Sequence, residues 1–437
     1  MTLLVISPDY ASHLYPLASL ATAFSAAGDD VVVATGPATA GIVGAFGFQR
    51  VGLQLGRGSN PGVIKAEDQP VGEDDALRGF FAATRDGMIP TLAFQAAARS
   101  SDLLWEPVAT AQAVLRLIDV VQPDQIIVDH LAFSARLALI SAGIPHGDVV
   151  LGHPSALPVG DEVYGYPPAW PAAFNPDATE LEELYALCQG VRDRFTSQWN
   201  SALLELDHNA TPTDDAFATH GDLLMLNYPG QLHDPARTAL LPPHAFLGSA
   251  IRQEPIDPEV NAWLDESEEP IVYVSFGSFL SVRADVLGRV AAALKLLGVR
   301  VAIATGSAPH RELGELPETW LVREFLPQVL LLEHAVLAVT HGGNNSVTEA
   351  ANAGVPMLVL PFSTDQFAGA AAIERSGMGE ALPPNTATVA DLYAAAERIL
   401  GSTATTNRAA SLGRSLRENP GKDVARTALL LPFSSQD

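Results

Sequence analysis

Short apolar runs alternate with amphipathic helical stretches over both halves of the chain, and this predicts an α/β protein of two doubly wound parallel sheets. Two observations carry the prediction. The first fifty residues read as strand, loop, helix and strand, a complete βαβ unit. The same alternation returns after residue 125 and again after residue 271, with a proline-rich seam between the two series.

Residues 3–7 form a short apolar run that stops at Pro8, as a strand buried on both faces does. From His13 onward, Leu14, Leu17, Ala18, Ala21 and Phe24 share one helical face, and Pro16 is placed in the first turn. Gly28 stops that helix, and residues 31–34 supply the next strand. Residues 125–129 read as a buried strand, followed by an Ala/Leu-rich helix to Gly143 and a strand over 144–150. In the second half, strands are predicted at 271–275, 299–304, 336–340 and 357–360, with helices over 286–297 and 346–353 between them. The seam at 240–258 holds Pro242, Pro243, Pro255 and Pro258 and shows no sustained period, so domains of 1–245 and 246–437 are expected. A second irregular stretch, 152–176, carries six prolines and the aromatics Tyr164, Tyr166, Trp170 and Phe174. It reads either as a surface loop or as the wall of a binding site.

At 437 residues the chain is long enough for two or three real cores. Fifty acidic against twenty-five basic residues leave a formal charge of -25, so nucleic acid and anionic lipid surfaces are poor partners. The single cysteine, Cys188, cannot form an intramolecular disulfide, which fits a reducing compartment. The N-terminus lacks the basic start of a secretory leader, and no stretch reaches the roughly 18 uninterrupted apolar residues of a spanning helix. A soluble, cytoplasmic protein is expected.

Several chemistries can be set aside. The glycines at 52, 56, 58 and 62 have the wrong spacing for a dinucleotide fingerprint and no helix pattern follows them. No Walker A sequence, His-Glu-x-x-His, Gly-x-Ser-x-Gly elbow or Asp-x-Asp pair occurs, and one cysteine cannot build a cysteine zinc site.

The segment at 336–346 is more informative. A strand runs straight into His341-Gly342-Gly343-Asn344-Asn345-Ser346 and then a helix. A glycine-rich turn at a helix N-terminus offers free backbone N–H groups and a favourable dipole to an anion. His341, Asn345 and Ser346 add side-chain donors. An ordinary β-to-α turn with Asn and Ser as caps is the alternative reading of these residues alone.

The wider segment contains Phe325-Leu326-Pro327-Gln328, His334, the His341–Ser346 turn, Glu349-Ala350, Gly354-Val355-Pro356 and Pro361-Phe362-Ser363-Thr364-Asp365-Gln366, in that order. This order resembles the donor-binding signature of the family 1 nucleotide-sugar glycosyltransferases, the group of UDP-glycosyltransferase and macrolide glycosyltransferase-like enzymes. Residues 272–278 are similar to that family's phosphate loop, and Ser12-His13-Leu14-Tyr15-Pro16-Leu17 resembles the loop that carries its catalytic histidine.

The resemblance implies a GT-B fold: two facing Rossmann-like domains, acceptor in the N-terminal one and donor in the C-terminal one. It implies that Phe325, where most relatives have tryptophan, stacks on the nucleobase, with Gln328 beside it. It assigns the diphosphate to His341, Gly343, Asn345, Ser346 and the Gly277-Ser278 loop, the ribose to Glu349, and the donor sugar to Asp365 and Gln366. His13 becomes the base that takes the acceptor proton, and Asp129 the carboxylate that orients it. His130 competes for a role at the same strand end, and Asp124 is the poorer carboxylate.

The expected activity is inverting transfer of a hexose from a UDP-sugar, or a dTDP-sugar, to a hydroxyl of a lipophilic small molecule such as a natural product. The last helix is expected to be able to pack back on the N-terminal domain. No metal or resident cofactor is expected. A sugar-nucleotide epimerase or hydrolase on the same fold, or a non-catalytic nucleotide-sugar-binding partner, are the rival functions.

Overall fold

The computed structural model describes residues 1–62, 73–280 and 282–431; the side chains of residues 73, 74, 76, 99–102, 278 and 279 also lie outside the described residues. Seven strands form the first sheet: β1 (Thr2–Ile6), β2 (Asp30–Thr35), β3 (Gln49–Gly52), β4 (Gln125–Asp129), β5 (Gly147–Val150), β6 (Leu223–Leu226) and β7 (His244–Phe246). Their spatial order is β3-β2-β1-β4-β5-β6-β7, and every pairing is parallel. Six strands form the second: β8 (Ile271–Ser275), β9 (Arg300–Ala304), β10 (Leu321–Arg323), β11 (Ala335–Thr340), β12 (Met357–Val359) and β13 (Gly379–Ala381). Their order is β10-β9-β8-β11-β12-β13, again all parallel.

The central strands are apolar because helices cover both sheet faces. Leu3, Leu4, Val5 and Ile6 of β1 are each at most 1% exposed, and all five residues of β8 are buried. In both sheets the strand order reverses beside the first strand of the series, between β1 and β4 and between β8 and β11. Chain segments leave these strand pairs in opposite directions, which opens a crevice at their C-terminal ends. The helix Gly421–Leu430 buries Ala425 and Leu429 in the same core as Leu3, Val5, Leu14 and Leu17, so the last helix covers the first sheet.

The structure revises one local expectation. The first helix begins at Ala11 rather than His13, so Pro16 sits inside it rather than in its first turn. A proline there has no N–H for the carbonyl four residues back, so the Ser12 carbonyl loses its intrahelical partner. Strand β5 is also shorter than expected, because Gly143 turns at φ 61° and the His146 N–H goes to the Asp222 carboxylate instead of a ladder.

Gly379 pairs with Met357 where β13 joins β12, and a Cβ there would overlap the Met357 carbonyl oxygen. Gly379→Ala should therefore lower the free energy of unfolding by about 1–3 kcal/mol. Denaturant titration checks this, and an unchanged midpoint would show that the edge strand yields at no cost.

Candidate functional site

The two crevices open onto one cleft of about 1590 Å³. Its walls include His13, Gly277, Phe325, Gln328, His341, Gly343, Asn345, Ser346, Asp365 and Gln366, so the topology brings together most of the residues singled out in the sequence. Asp129 stands directly behind His13. Glu349 is not on the cleft surface, and the Ser278 side chain lies outside the described residues.

His13 projects from the first helix just beyond β1, and Asp129 ends the neighbouring strand β4. Their adjacency in the sheet places His13 Nδ1 2.6 Å from Asp129 Oδ2. The other oxygen, Oδ1, accepts the Leu131 N–H at 2.8 Å, which fixes the carboxylate plane. Asp129 is fully buried, whereas the His13 imidazole is 23% exposed on the cleft side. Burial alone would depress the His13 pKa. The charge and hydrogen bond of Asp129, with Asp365 adding, outweigh it and hold the pKa above the ordinary 6.5. A neutral His13 that donates Nδ1–H to Asp129 presents the Nε2 lone pair as its remaining basic site.

The rival residues have other partners. His130 is 1% exposed and lies 3.2 Å from Asp148, inside a buried cluster with Arg136, whose Nε donates to Asp148 at 2.9 Å. Burial and then the Arg136 charge lower the His130 pKa. Asp124 accepts the Thr2 N–H at 2.7 Å and ties down the start of β1.

Across the cleft, the His341 ring lies between two glycines. A Cβ on Gly277 would come within 2.9 Å of His341 Cε1, and one on Gly343 would overlap Nε2. Gly277 also sits at φ 68°, where glycine is favoured. Burial pushes the His341 pKa down to about 4, the Ser275 backbone opposing only in part, so the ring is neutral at pH 7. Its Nδ1 is buried and has no hydrogen-bond partner among the described residues. Gly343 starts the helix Asn344–Ala353 without a side-chain cap, so that end presents free N–H groups.

The same turn grips the opposite half of the molecule. Asn344 Nδ2 donates to the carbonyls of Leu151 at 2.7 Å and Asn227 at 2.8 Å. Asn345 Nδ2 donates at 2.9 Å to the carbonyl of Ser12, the group that Pro16 leaves outside the helical ladder. Asp365 also reaches across. Its Oδ2 accepts the His153 N–H at 2.5 Å, and a side chain at Gly152 would meet that oxygen at 2.9 Å. Gln366 is largely committed within its own loop. Its Oε1 accepts from the Phe362 and Ser363 N–H groups, and its Nε2 donates to Ser363 Oγ.

Phe325 is 70% exposed, which makes its ring an open face and not a core aromatic. Ile256, 83% exposed, stands at the same mouth. The segment that carries Ile256 is tied to both flanks of Phe325: Asp257 pairs with Arg323 at 3.0 Å, and Glu254 accepts the N–H groups of Val329 and Leu330 at 2.9 and 3.2 Å. Glu349 is buried under this region. Gln328 Nε2 donates to its Oε2 at 2.5 Å, and Arg252 Nη1 lies 3.3 Å from Oε1.

Sequence reading did not find Arg252, Glu254 and Ile256. They lie in the proline-rich seam, where the prolines marked a connection and gave no sign that it would form a wall. The apolar end of the cleft was only half legible. Tyr164 and Tyr166 line it, but Trp170 and Phe174 turn away to pack on Phe367. Leu77, Phe80, Phe94 and Gln95 complete it from the helices Glu73–Asp86 and Met88–Asp102, whose amphipathic spacing was the available signal.

Among the described residues no three His, Cys, Asp or Glu side chains converge as metal ligands, and no helix is long and apolar enough to cross a membrane. Two parallel Rossmann-like sheets facing across a cleft, with a glycine-rich anion turn on one lip and a His–Asp pair on the other, define the class as GT-B. The family profile described as UDP-glucoronosyl and UDP-glucosyl transferase matches residues 183–432, and the chain belongs to that family. It is 25% identical over 223 residues to the uncharacterized UDP-glucosyltransferase YojK of Bacillus subtilis, a match covering 49% of this chain and 53% of YojK. Overall the chain spans about half the length of the curated relatives it matches. The fold is shared with the solved glycotransferase of kitacinnamycin (TM-score 0.68, 20% identity, 98% of each chain). It is also shared with the spinosyn rhamnosyltransferase SpnG complexed with thymidine diphosphate (TM-score 0.63, 20% identity, 98% of this chain and 99% of that one).

The tether between the halves generates a prediction. In the native chain, Asn345→Ala removes the side-chain donor to a solvent-exposed carbonyl that Pro16 leaves outside the α-helical ladder, and should cost about 1 kcal/mol of stability. In a Pro16→Ala background the restored N–H occupies Ser12, and the same change should cost close to nothing. A denaturation double-mutant cycle should therefore give a coupling of about 0.5–1.5 kcal/mol. Additive losses would show that the tether does not depend on Pro16.

Proposed function

We propose that the protein is an inverting glycosyltransferase that moves a hexose from a nucleoside diphosphate sugar to a hydroxyl of a lipophilic small molecule. Family membership supports the transferase reading, and the His13–Asp129 contact of 2.6 Å carries the mechanism. His13 Nε2 takes the proton of the acceptor hydroxyl. The oxygen attacks the anomeric carbon as the bond to the diphosphate breaks, and that electron pair leaves on the diphosphate oxygen. Asp129 holds Nδ1–H in place and stabilises the imidazolium that forms.

The developing negative charge meets the free N–H groups at the start of the helix Asn344–Ala353 and the Gly277 turn, with neutral His341 as a further N–H donor. In this reading Gly343, Asn345 and Ser346 belong to the diphosphate site, and Phe325 and Gln328 to the nucleoside. Asp365 retains acceptor capacity toward sugar hydroxyls. The aromatic and aliphatic side chains from Leu77 to Tyr166 suit a flat or greasy acceptor, of the natural-product kind that the kitacinnamycin and spinosyn enzymes are named for. A UDP-hexose is the proposed donor and a dTDP-sugar the alternative, since the SpnG structure holds thymidine diphosphate.

His13→Ala should reduce kcat by about 10²–10⁴ and leave nucleotide affinity within a factor of about three. Turnover with a UDP-hexose and a panel of phenolic and polyketide acceptors, alongside calorimetry with UDP, checks both parts. Full activity in the variant would overturn the base assignment, and an α-linked product from an α-linked donor would overturn inversion.

A further inference from the structure

The apolar end of the cleft is walled by the helices Glu73–Asp86 and Met88–Asp102, which supply Leu77, Phe80, Phe94 and Gln95. The two helices form one unit. A Cβ on Gly79 would overlap the Phe94 ring, so the helices stand at close approach there. Thr91 Oγ1 donates to the Ala83 and Gly87 carbonyls at 3.1 and 2.6 Å, which joins the end of the first helix to the start of the second. A shift at that end is therefore passed on to all four wall residues.

By sequence this pair belongs to the first half, but its first helix ends on the second half. The Thr84 carbonyl, in the last turn of that helix, accepts from Arg283 Nη1 at 2.8 Å and from Asn385 Nδ2 at 3.0 Å, and the Arg85 carbonyl accepts from the same Nδ2 at 3.2 Å. Carbonyls at a helix C-terminus lack partners inside the helix and form the negative end of its dipole, so a guanidinium suits them. Arg283 is 2% exposed, and its other N–H groups fix it in place. Nε and Nη2 donate to the two Asp285 oxygens at 2.9 and 2.7 Å, and Nη2 also donates to Asn385 Oδ1 at 2.8 Å. Phe80 follows the same allegiance, packing on the second sheet's core beside Phe276 and Phe362. The Arg283 Cζ lies 5.1 Å from the Phe362 ring centroid, and two residues further on the Thr364 N–H donates to Gln95 Oε1 at 3.2 Å. The second half thus grips the helical pair at two points.

We propose that Arg283, with Asn385, is a positioning residue for the acceptor: from the second half it caps the helix Glu73–Asp86 and so sets the wall that Leu77 and Phe80 present to a bound acceptor. The proposal rests on the reading of the apolar end of the cleft as the acceptor site. Neither Arg283 nor Asn385 is on the cleft wall, so both act through the helix they hold. A wall built by one half and seated by the other keeps its shape only while the halves are closed. Acceptor recognition therefore depends on closure and not on the first half alone.

Steady-state kinetics of the full chain with a UDP-hexose and a panel of phenolic and polyketide acceptors, alongside UDP calorimetry and amide hydrogen exchange, tests this. Arg283→Met should raise acceptor KM about tenfold and leave kcat and UDP affinity within a factor of about three. Exchange over residues 77–95 should quicken about tenfold, with β1 and β8 unchanged, whereas a general loss of stability would quicken all of them. Asn385→Ala leaves the Arg283–Asp285 pair in place and should move both readouts the same way by less; it also reports on the seat if the methionine variant folds poorly. Arg283→Lys keeps a cation for the Thr84 carbonyl but cannot pair with both Asp285 oxygens at once, and should restore part of the acceptor affinity. An acceptor KM unchanged in both Arg283→Met and Asn385→Ala would overturn the proposal, whatever the exchange shows. Losses of kcat and UDP affinity as large as the rise in acceptor KM would overturn it too, since damage to the second half alone produces that pattern. Either result leaves the transferase reading standing. A wild type that binds UDP but glycosylates no acceptor of the panel would overturn the acceptor-site reading and this proposal with it, before any variant is made.

Discussion

Hydrogen bonds to backbone groups link the two lips of the cleft, and the one at the Ser12 carbonyl lies nearest His13. Pro16 denies that carbonyl a partner inside its own helix, and Asn345 supplies one from the glycine-rich turn of the other sheet. The contact is solvent-exposed, so water can replace Asn345, and the carbonyl freed by the proline favours closure here only by the modest net worth of one hydrogen bond. His13 is the next residue after Ser12. The contact therefore ties the residue beside the imidazole to the anion turn. Asn344 and Asp365 repeat the arrangement on either side, each crossing the cleft to a backbone group of the first half.

Electrostatics follow from that closure. The chain carries a large negative charge, and the donors around the glycine-rich turn are neutral: helix-end N–H groups, amides and a neutral His341, with Arg252 the one arginine or lysine on the cleft wall among the described residues. A diphosphate would be met by dipoles already in place, which costs little reorganisation when charge develops on it. Behind His13 the buried carboxylate of Asp129 has its second oxygen satisfied by a backbone N–H. One strand further on, Asp148 solves the same problem differently. Burial pushes its carboxyl up, but Arg136 and then His130 pull it below the usual carboxylate range. Two adjacent His–carboxylate pairs thus differ in kind. His13 faces the cleft, and His130 is sealed in the core.

Much of this was legible in the sequence, for physical reasons that differ by element. The central strands β1, β4, β8 and β11 are continuous apolar runs that only a doubly covered sheet accommodates, so two doubly wound sheets could be expected. His13, Asp129 and the His341–Ser346 turn lie at the C-terminal ends of those strands, so strand position put each at the mouth of its own sheet, and the resemblance to a two-domain family brought the two mouths together. The burial of Glu349 was not legible: spacing along a helix gives the face but not that Gln328 and Arg252 would pair with the carboxylate. Gln366 lies on the cleft wall, and its hydrogen bonds within its own loop were not legible either. Arg252 and Ile256 were illegible because an aperiodic, proline-rich connection carries no signal of what it will lie against. Pro16 was read one turn too early in its helix, and its consequence for Ser12 was missed with it.

The measurement that bears most directly on the central claim is the pH dependence of kcat/KM for the wild type and for Asp129→Asn. His13 must be neutral to take a proton, and Asp129 holds its pKa above 6.5, so wild-type activity should fall as pH drops through that raised value. With the charge of Asp129 removed, the burial that depresses the pKa acts with less opposition. The acid limb should then move to lower pH, while the plateau drops by about 10²–10⁴ because the tautomer is no longer held. An acid limb that stays in place in Asp129→Asn would mean that the titrating group is not the His13–Asp129 pair, and the mechanism built on that pair would fail.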